Sequence, residues 1–185
     1  MKKYNDTTYA ILGILTTDCK SGYAIKQLID NSLSHFWKIS YGQIYPALKL
    51  IVEEDLAEIK ESSTPGKRDK NEYYLTQKGK ETLKNWLEEP IEQLPVERNE
   101  ILLKLFFGQH QSKEKTLVLL HNYKRDLEKR CQTYITIEQS ITANHSLDGD
   151  AAYWLFTLDY GKRVTKAGVE WCESTLSKFE EMEDL

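Results

Sequence analysis

Apolar residues recur at helical spacing in three short stretches near the start of the chain. In "DTTYAILGILTT", Ile11, Leu12, Ile14 and Leu15 follow a capping residue, Asp6 or Thr7, and predict a largely buried first helix. "SGYAIKQLIDNSL" opens on Ser21 as a cap and carries Ile25, Leu28, Ile29 and Leu33 along one face, with "SHFW" closing it. In "SYGQIYPALKLI", residues 40 to 51, Ile44, Ala47, Leu48 and Ile51 fall at i, i+3, i+4 and i+7 behind Ser40 as cap. The other side of this third helix presents Gly42, Gln43, Tyr45 and Lys49, and Pro46 lies inside the pattern. A proline in the second turn removes a hydrogen bond to the Gly42 carbonyl. Glycine there gives the backbone latitude to relieve the ring's clash, with a slight kink expected.

The period then changes. "LAEIKES" and "NEYYLTQ" show partial alternation (Ala57/Ile59; Tyr73/Leu75) and predict two strands. Between them "STPGKRDK" is a Pro-Gly turn followed by Lys67, Arg68 and Lys70. "TQKGKETLKNWLEE" predicts a fourth helix capped by Thr76 that buries Leu83, Trp86 and Leu87. Helix, helix, helix, hairpin, helix is the order of a winged helix-turn-helix. In that arrangement the third helix enters the DNA major groove and the hairpin tip reaches the adjacent backbone or minor groove. The fold class is therefore mainly α, with this unit over residues 1–92 and a helical domain over 98–185. "LPVER", residues 94 to 98, is the expected linker, with Pro90 and Pro95 bracketing the break.

Beyond the linker the pattern is helical throughout. "NEILLKLFFGQH" precedes two long segments, Ser112 to about Asn144 and about Asp150 to Glu181. In the first of these Leu117, Leu120, Leu127, Cys131, Tyr134 and Ile141 form a coiled-coil-like seam interrupted by Lys124 and Glu138. The last helix carries two apolar stripes: Tyr153, Phe156, Tyr160, Val164, Ala167 and Trp171; and Leu155, Leu158, Val169, Cys172, Leu176 and Phe179. A helix apolar on two sides needs two surfaces. Its long neighbour covers one. A second copy of the chain is the economical candidate for the other, with a thick monomeric bundle as the alternative. Gly161, Ala167 and Gly168 would admit close helix approach. The dimerisation set is Leu117, Leu120, Leu127, Leu158, Val164, Ala167, Gly168 and Trp171.

Composition narrows the function. The net charge of −4 divides unevenly: residues 1–80 hold 12 Lys/Arg against 10 Asp/Glu, and residues 81–185 hold 13 against 19. That permits a basic working face on the first unit and argues little more. The three cysteines, Cys19, Cys131 and Cys172, are widely spaced and read as reduced. With no apolar run of membrane-spanning length and no cleavable leader pattern, a cytoplasmic location is expected. His35, His110, His121 and His145 are scattered without metal-ligand spacing, and there is no phosphate-cradling glycine loop. No catalysis, metal or cofactor is expected.

"YAILGIL", "SGYAIKQLID", "FWKISYGQIYPALKLI", "YYLTQKGKETLKNWL" and "LLKLFFG" together resemble the PadR family of bacterial transcriptional regulators. "TLDYGKRVTKAGVEWCES" (157 to 174) resembles the helix that ends this family's longer C-terminal domain. The resemblance implies a dimeric winged-helix protein, usually a repressor, that dimerises through C-terminal helices. The founding member responds to phenolic acids and other members to drugs and other signals. One departure is Asp55, where the family usually has glycine. Aspartate tolerates the left-handed backbone better than most residues.

In this setting Lys67, Arg68 and Lys70 are expected to contact phosphate or the minor groove. Lys20, Ser21, Gly22, Tyr23 and Lys26 open the second helix, whose N-terminal amides suit a phosphate, although Tyr23 could equally pack inward. Ser40, Tyr41, Gly42, Gln43, Tyr45, Pro46 and Lys49 form the expected reading face. Gln43 has an amide able to pair with adenine, and Tyr45 could meet a phosphate or stack inward. Tyr153, Trp154, Phe156 and Tyr160 are candidates for a small aromatic effector, or simply fill the bundle. The expected partners are operator DNA as an inverted repeat, a second copy of the chain and possible effectors of phenolic type. The alternative from another class is a winged-helix module that contacts only protein.

Overall fold

The computed structural model describes residues 3–34, 36–61, 71–93, 97–144 and 149–181. The chain forms two compact units, Met1–Leu94 and Pro95–Leu185. The first contains α1 (Asp6–Ile14), α2 (Gly22–Leu28) with a π-helical turn (Ile29–Leu33), α3 (Tyr41–Glu53), β1 (Ala57–Glu61), β2 (Asn71–Leu75) and α4 (Gln77–Glu88). The second contains α5 (Glu100–Phe106), a 3-10 turn, α6 (Lys113–Asn144) and α7 (Ala151–Glu181).

Capping side chains set where the first helices start. Asn5, rather than Asp6 or Thr7, caps α1: its Oδ1 accepts from Thr8 N at 2.9 Å and from the Thr8 hydroxyl at 3.0 Å. Asp6 becomes the acidic residue of the first turn, where the helix dipole favours it. Ser21 and Thr76 cap as expected, accepting from Ala24 N at 3.2 Å and Gly79 N at 3.1 Å.

The inward stripe of α3 is sealed. Ile44, Ala47, Leu48 and Ile51 join Ile11, Leu12, Leu15, Ile25 and Leu56 in one core. Each large side chain here contributes on the order of 2 kcal/mol of apolar burial. The helix continues through Pro46. It ends in a Schellman turn, with Leu56 N donating to Ile51 O at 2.7 Å and Asp55 N to Val52 O at 3.1 Å. Asp55 holds φ 56°, the left-handed conformation that this cap requires.

Strands β1 and β2 pair antiparallel, with Ala57 opposite Leu75 and Ile59 opposite Tyr73. Tyr73 N also donates to Lys20 O at 2.7 Å, tying the pair to the segment before α2. Helix α4 is fastened to the turn after α3. Thr76 Oγ1 donates to Asp55 O at 2.7 Å, Lys78 Nζ donates to Glu54 O at 2.5 Å, and a Cβ added at Gly79 would lie 2.0 Å from Leu56 O. On its other side α4 meets α1 through Tyr9 and Trp86, stacked at 4.7 Å. Leu83 is buried, but Leu87, expected in the core, is exposed. The narrow contact around Gly79, Leu83 and Trp86 leaves it outside the stripe.

In the second unit α6 and α7 form an antiparallel hairpin. Lys124 and Glu138, the polar breaks in the seam, pair across it with Glu173 at 2.8 Å and Lys162 at 2.7 Å. The hydrogen bond to Glu173 is the main cause holding the Lys124 ammonium above its ordinary pKa. Gly161 lies under the Tyr134 ring and Gly168 against Leu127, where added Cβ atoms would come within 2.9 and 3.0 Å. These glycines, expected to admit a second chain, admit α6 of the same chain. Leu120, Leu127 and Leu158 are likewise buried within the hairpin, and Trp171 meets Tyr123 edge to face.

Gly79→Ala is expected to destabilise by about 3 kcal/mol, because the added methyl group meets backbone that cannot move aside. Gly13→Ala, in open space on α1, is expected to stabilise by about 0.5–1 kcal/mol. Equilibrium denaturation of the two variants checks the contrast.

Candidate nucleic-acid interface

With its inward stripe buried, α3 leaves Tyr41, Gly42, Gln43, Tyr45, Pro46 and Lys49 exposed on one surface. The first turn is held by Gln43, whose Oε1 accepts from Ser40 N and from the Ser40 hydroxyl, both at 3.0 Å. This is the return arm of a capping box, with glutamine in the third helical position.

The start of α2 packs beside this surface. Gly22 is buried beneath the Tyr45 ring, and a Cβ there would come within 2.9 Å of it. Tyr45 therefore leans on α2 while remaining 46% exposed. It stacks with Tyr41 at a centroid distance of 6.3 Å and an interplanar angle of 16°. The Lys26 ammonium lies 5.7 Å from the Tyr41 ring centroid and is paired with Asp30 one turn on. Tyr23 is also exposed, so the inward alternative does not apply to it, and its hydroxyl accepts from Gln27 Nε2 at 2.9 Å.

Two lysines expected to seek phosphate thus have protein partners. Lys20 Nζ donates to Leu15 O at 2.6 Å and lies 5.7 Å from the Tyr74 ring centroid. It fastens the end of α1 to the strand pair. Lys26 is held as described, with its side chain only 17% exposed. Lys49 is the more available cation: its contact to Glu53 spans 3.5 Å between two exposed side chains. Lys67, Arg68 and Lys70 lie outside the described residues.

Sequence reasoning missed Asp30, Gln27 and Tyr74. Lys26–Asp30 and Tyr23–Gln27 each sit at i,i+4 along α2 and the π-helical turn that follows it, and were open to that signal. The Lys20–Tyr74 approach joins distant segments and left no local trace. On the strand pair, Tyr74 donates to Glu72 at 2.8 Å, which raises its phenol pKa, and Lys60 lies 4.8 Å from its ring centroid.

Three helices, an antiparallel strand pair and a fourth helix, followed by a helical second unit, define a winged helix-turn-helix protein with a C-terminal helical region. The comparisons with known proteins agree. Residues 11–85 match the model of the transcriptional regulator PadR-like family, and residues 97–180 match that of the virulence activator alpha C-terminal region. The chain is 34% identical over 124 residues to the negative transcriptional regulator PadR of Bacillus subtilis, a match spanning 66% of this chain and 65% of that one. The structure of B. subtilis PadR in complex with operator DNA has a TM-score of 0.82 and 27% identity, covering 95% of this chain and 99% of that chain. B. subtilis PadR in complex with p-coumaric acid has a TM-score of 0.77 and 26% identity, covering 94% and 98%. The chain thus carries a PadR-like regulator domain followed by a virulence activator alpha C-terminal domain, and its relatives are transcriptional regulators of the PadR family, which are not enzymes.

Gly22→Ala is expected to change stability by under about 1 kcal/mol, since the Tyr45 ring tip can swing and alanine favours the helix. The displaced ring is expected to weaken operator binding about tenfold, or about 1.4 kcal/mol. Thermal unfolding and a gel shift measure the two effects. Unchanged affinity would separate Tyr45 from the reading surface.

Proposed function

We propose that the protein is a sequence-specific DNA-binding transcriptional regulator, a repressor, that reads an inverted repeat as a homodimer. The observation that carries this is α3, whose sealed inner stripe commits Tyr41, Gln43, Tyr45 and Lys49 to the outside beside the start of α2. The similarity to PadR in complex with operator DNA supports duplex DNA as the partner. Lys67, Arg68 and Lys70 supply phosphate contacts from the strand connection.

The dimer reading rests on α7. Of its two stripes, the one with Leu158, Cys172 and Leu176 is buried in the hairpin. The other leaves Tyr153, Phe156, Tyr160 and Val164 at 69, 70, 66 and 47% exposure. Helix α5 adds Leu102, Leu103 and Phe106, also exposed. Apolar surface of this extent marks an interface, and a two-fold pairing of identical chains is the commonest occupant. The dimerisation set thereby shifts from the hairpin core to Tyr153, Phe156, Tyr160, Val164 and Ala167. The same shift moves the effector candidates Tyr153, Trp154, Phe156 and Tyr160 from a bundle interior to a surface that a partner would cover. The similarity to PadR in complex with p-coumaric acid supports a small aromatic effector, for which the exposed α7 rings offer one wall.

Selection from random duplexes is expected to return an inverted repeat, and a lone half-site would overturn the dimer. Alanine at Lys67 and Arg68 is expected to weaken all sequences alike and to flatten the salt slope by about one unit for each phosphate no longer neutralised. A parent protein indifferent to salt would instead favour the protein-contact module. Phe156→Glu is expected to give a folded monomer with operator affinity reduced by about 100-fold or more, as the second half-site is lost.

The effector has its own test, a thermal-shift screen of phenolic acids, flavins and cationic drugs repeated as operator release. A compound that both stabilises the protein and lowers DNA affinity is expected. If none does so, the α7 rings are interface alone.

A further inference from the structure

Gln43 enters the proposed reading face with half of its amide already committed. Its Oε1 accepts two hydrogen bonds, from Ser40 N and from the Ser40 hydroxyl, each at 3.0 Å. A carbonyl oxygen has two lone pairs, so both are used. The atom in that position has to be the oxygen, because the Ser40 backbone N–H can only donate. Nε2 keeps two N–H donors, with no protein acceptor for them among the described residues.

We infer that Gln43 reads its base pair as a hydrogen-bond donor alone, selecting an acceptor edge, a G·C pair first and an A·T pair second. The inference rests on α3 being the recognition helix and concerns how one of its side chains is set. A free glutamine reads adenine through two bonds, accepting from N6 and donating to N7. Here the first bond would take Oε1 from Ser40 N, at a helix start where N–H groups have no partner within the helix. The capping bonds therefore oppose the two-bond reading of adenine. Guanine presents two adjacent acceptors, O6 and N7, and can use both donors. An A·T pair leaves a donor only single acceptors, adenine N7 or thymine O4.

The test uses the full chain in selections from random duplexes with the parent protein, Gln43→Ala and Gln43→Glu. Gln43→Ala is expected to erase preference at one position per half-site, by about 5- to 150-fold, and the base pair no longer preferred is G·C. Gln43→Glu keeps an acceptor for Ser40 N and suits the helix start, so its thermal midpoint holds. It has no donor, so the preference is lost without loss of the fold. Where the position is an A·T pair, its adenine is replaced by a purine lacking the 6-amino group. Unchanged affinity of the parent means that Oε1 accepts nothing from the adenine, as the inference requires. A loss of affinity that disappears in Gln43→Ala means that Oε1 accepts from adenine, and overturns the inference. A Gln43→Ala selection identical to the parent's overturns it as well, while the parent's own selected operator leaves the DNA-binding reading standing. A parent protein that selects no sequence would overturn both.

Discussion

The first unit depends on the burial of one helical stripe, Ile44, Ala47, Leu48 and Ile51, against α1 and α2. That burial fixes the rotation of α3 about its axis, and with it which residues remain outside. The two ends of the helix are fastened separately. Ser40 and Gln43 close the start, and the Schellman turn at Asp55 and Leu56 closes the end. Thr76, Lys78 and Gly79 then press α4 onto that same turn, so the helix that meets α1 through Trp86 also holds the far end of α3. A reading surface needs this rigidity, because positional error in side chains that touch bases is lost specificity.

The second unit solves a different problem. Its last helix, α7, has more apolar surface than one neighbour can cover. The hairpin takes one stripe of α7, set in register by Lys124–Glu173 and Glu138–Lys162 and drawn close by Gly161 and Gly168. Isolated ion pairs of this exposure add little stability. Their contribution here is register, since sliding α7 along α6 would separate both pairs and set Tyr134 against a side chain instead of Gly161. What remains is the outward aromatic stripe, which the dimer reading uses.

Local features were legible in the sequence. The caps at Ser21, Ser40 and Thr76 and the α3 stripe follow from spacing and residue type within a few positions, while the left-handed position at Asp55 came from the family resemblance. The misses share a cause. Asn5 outcompetes Asp6 and Thr7 as cap because its side chain reaches Thr8 at both N and Oγ1, a geometric choice among three similar residues. Lys20 is spent on Leu15 O and Tyr74, and Gly161 and Gly168 on α6, through contacts between segments far apart in sequence. Periodicity shows that α7 has two apolar stripes, but only the packed hairpin decides which one it keeps. Gln43 is the subtle case: its exposure was read, but the capping-box spacing from Ser40, which commits its acceptor, was passed over.

The claim on which the functional account stands is that two copies of this chain act together on one duplex. Native mass spectrometry of the full chain mixed with the selected duplex measures this directly. The account predicts a dimer when free and two chains per duplex when bound, with a duplex carrying a single half-site bound far more weakly. A monomer that binds one chain per duplex, with equal affinity for the half-site and the full repeat, would contradict it.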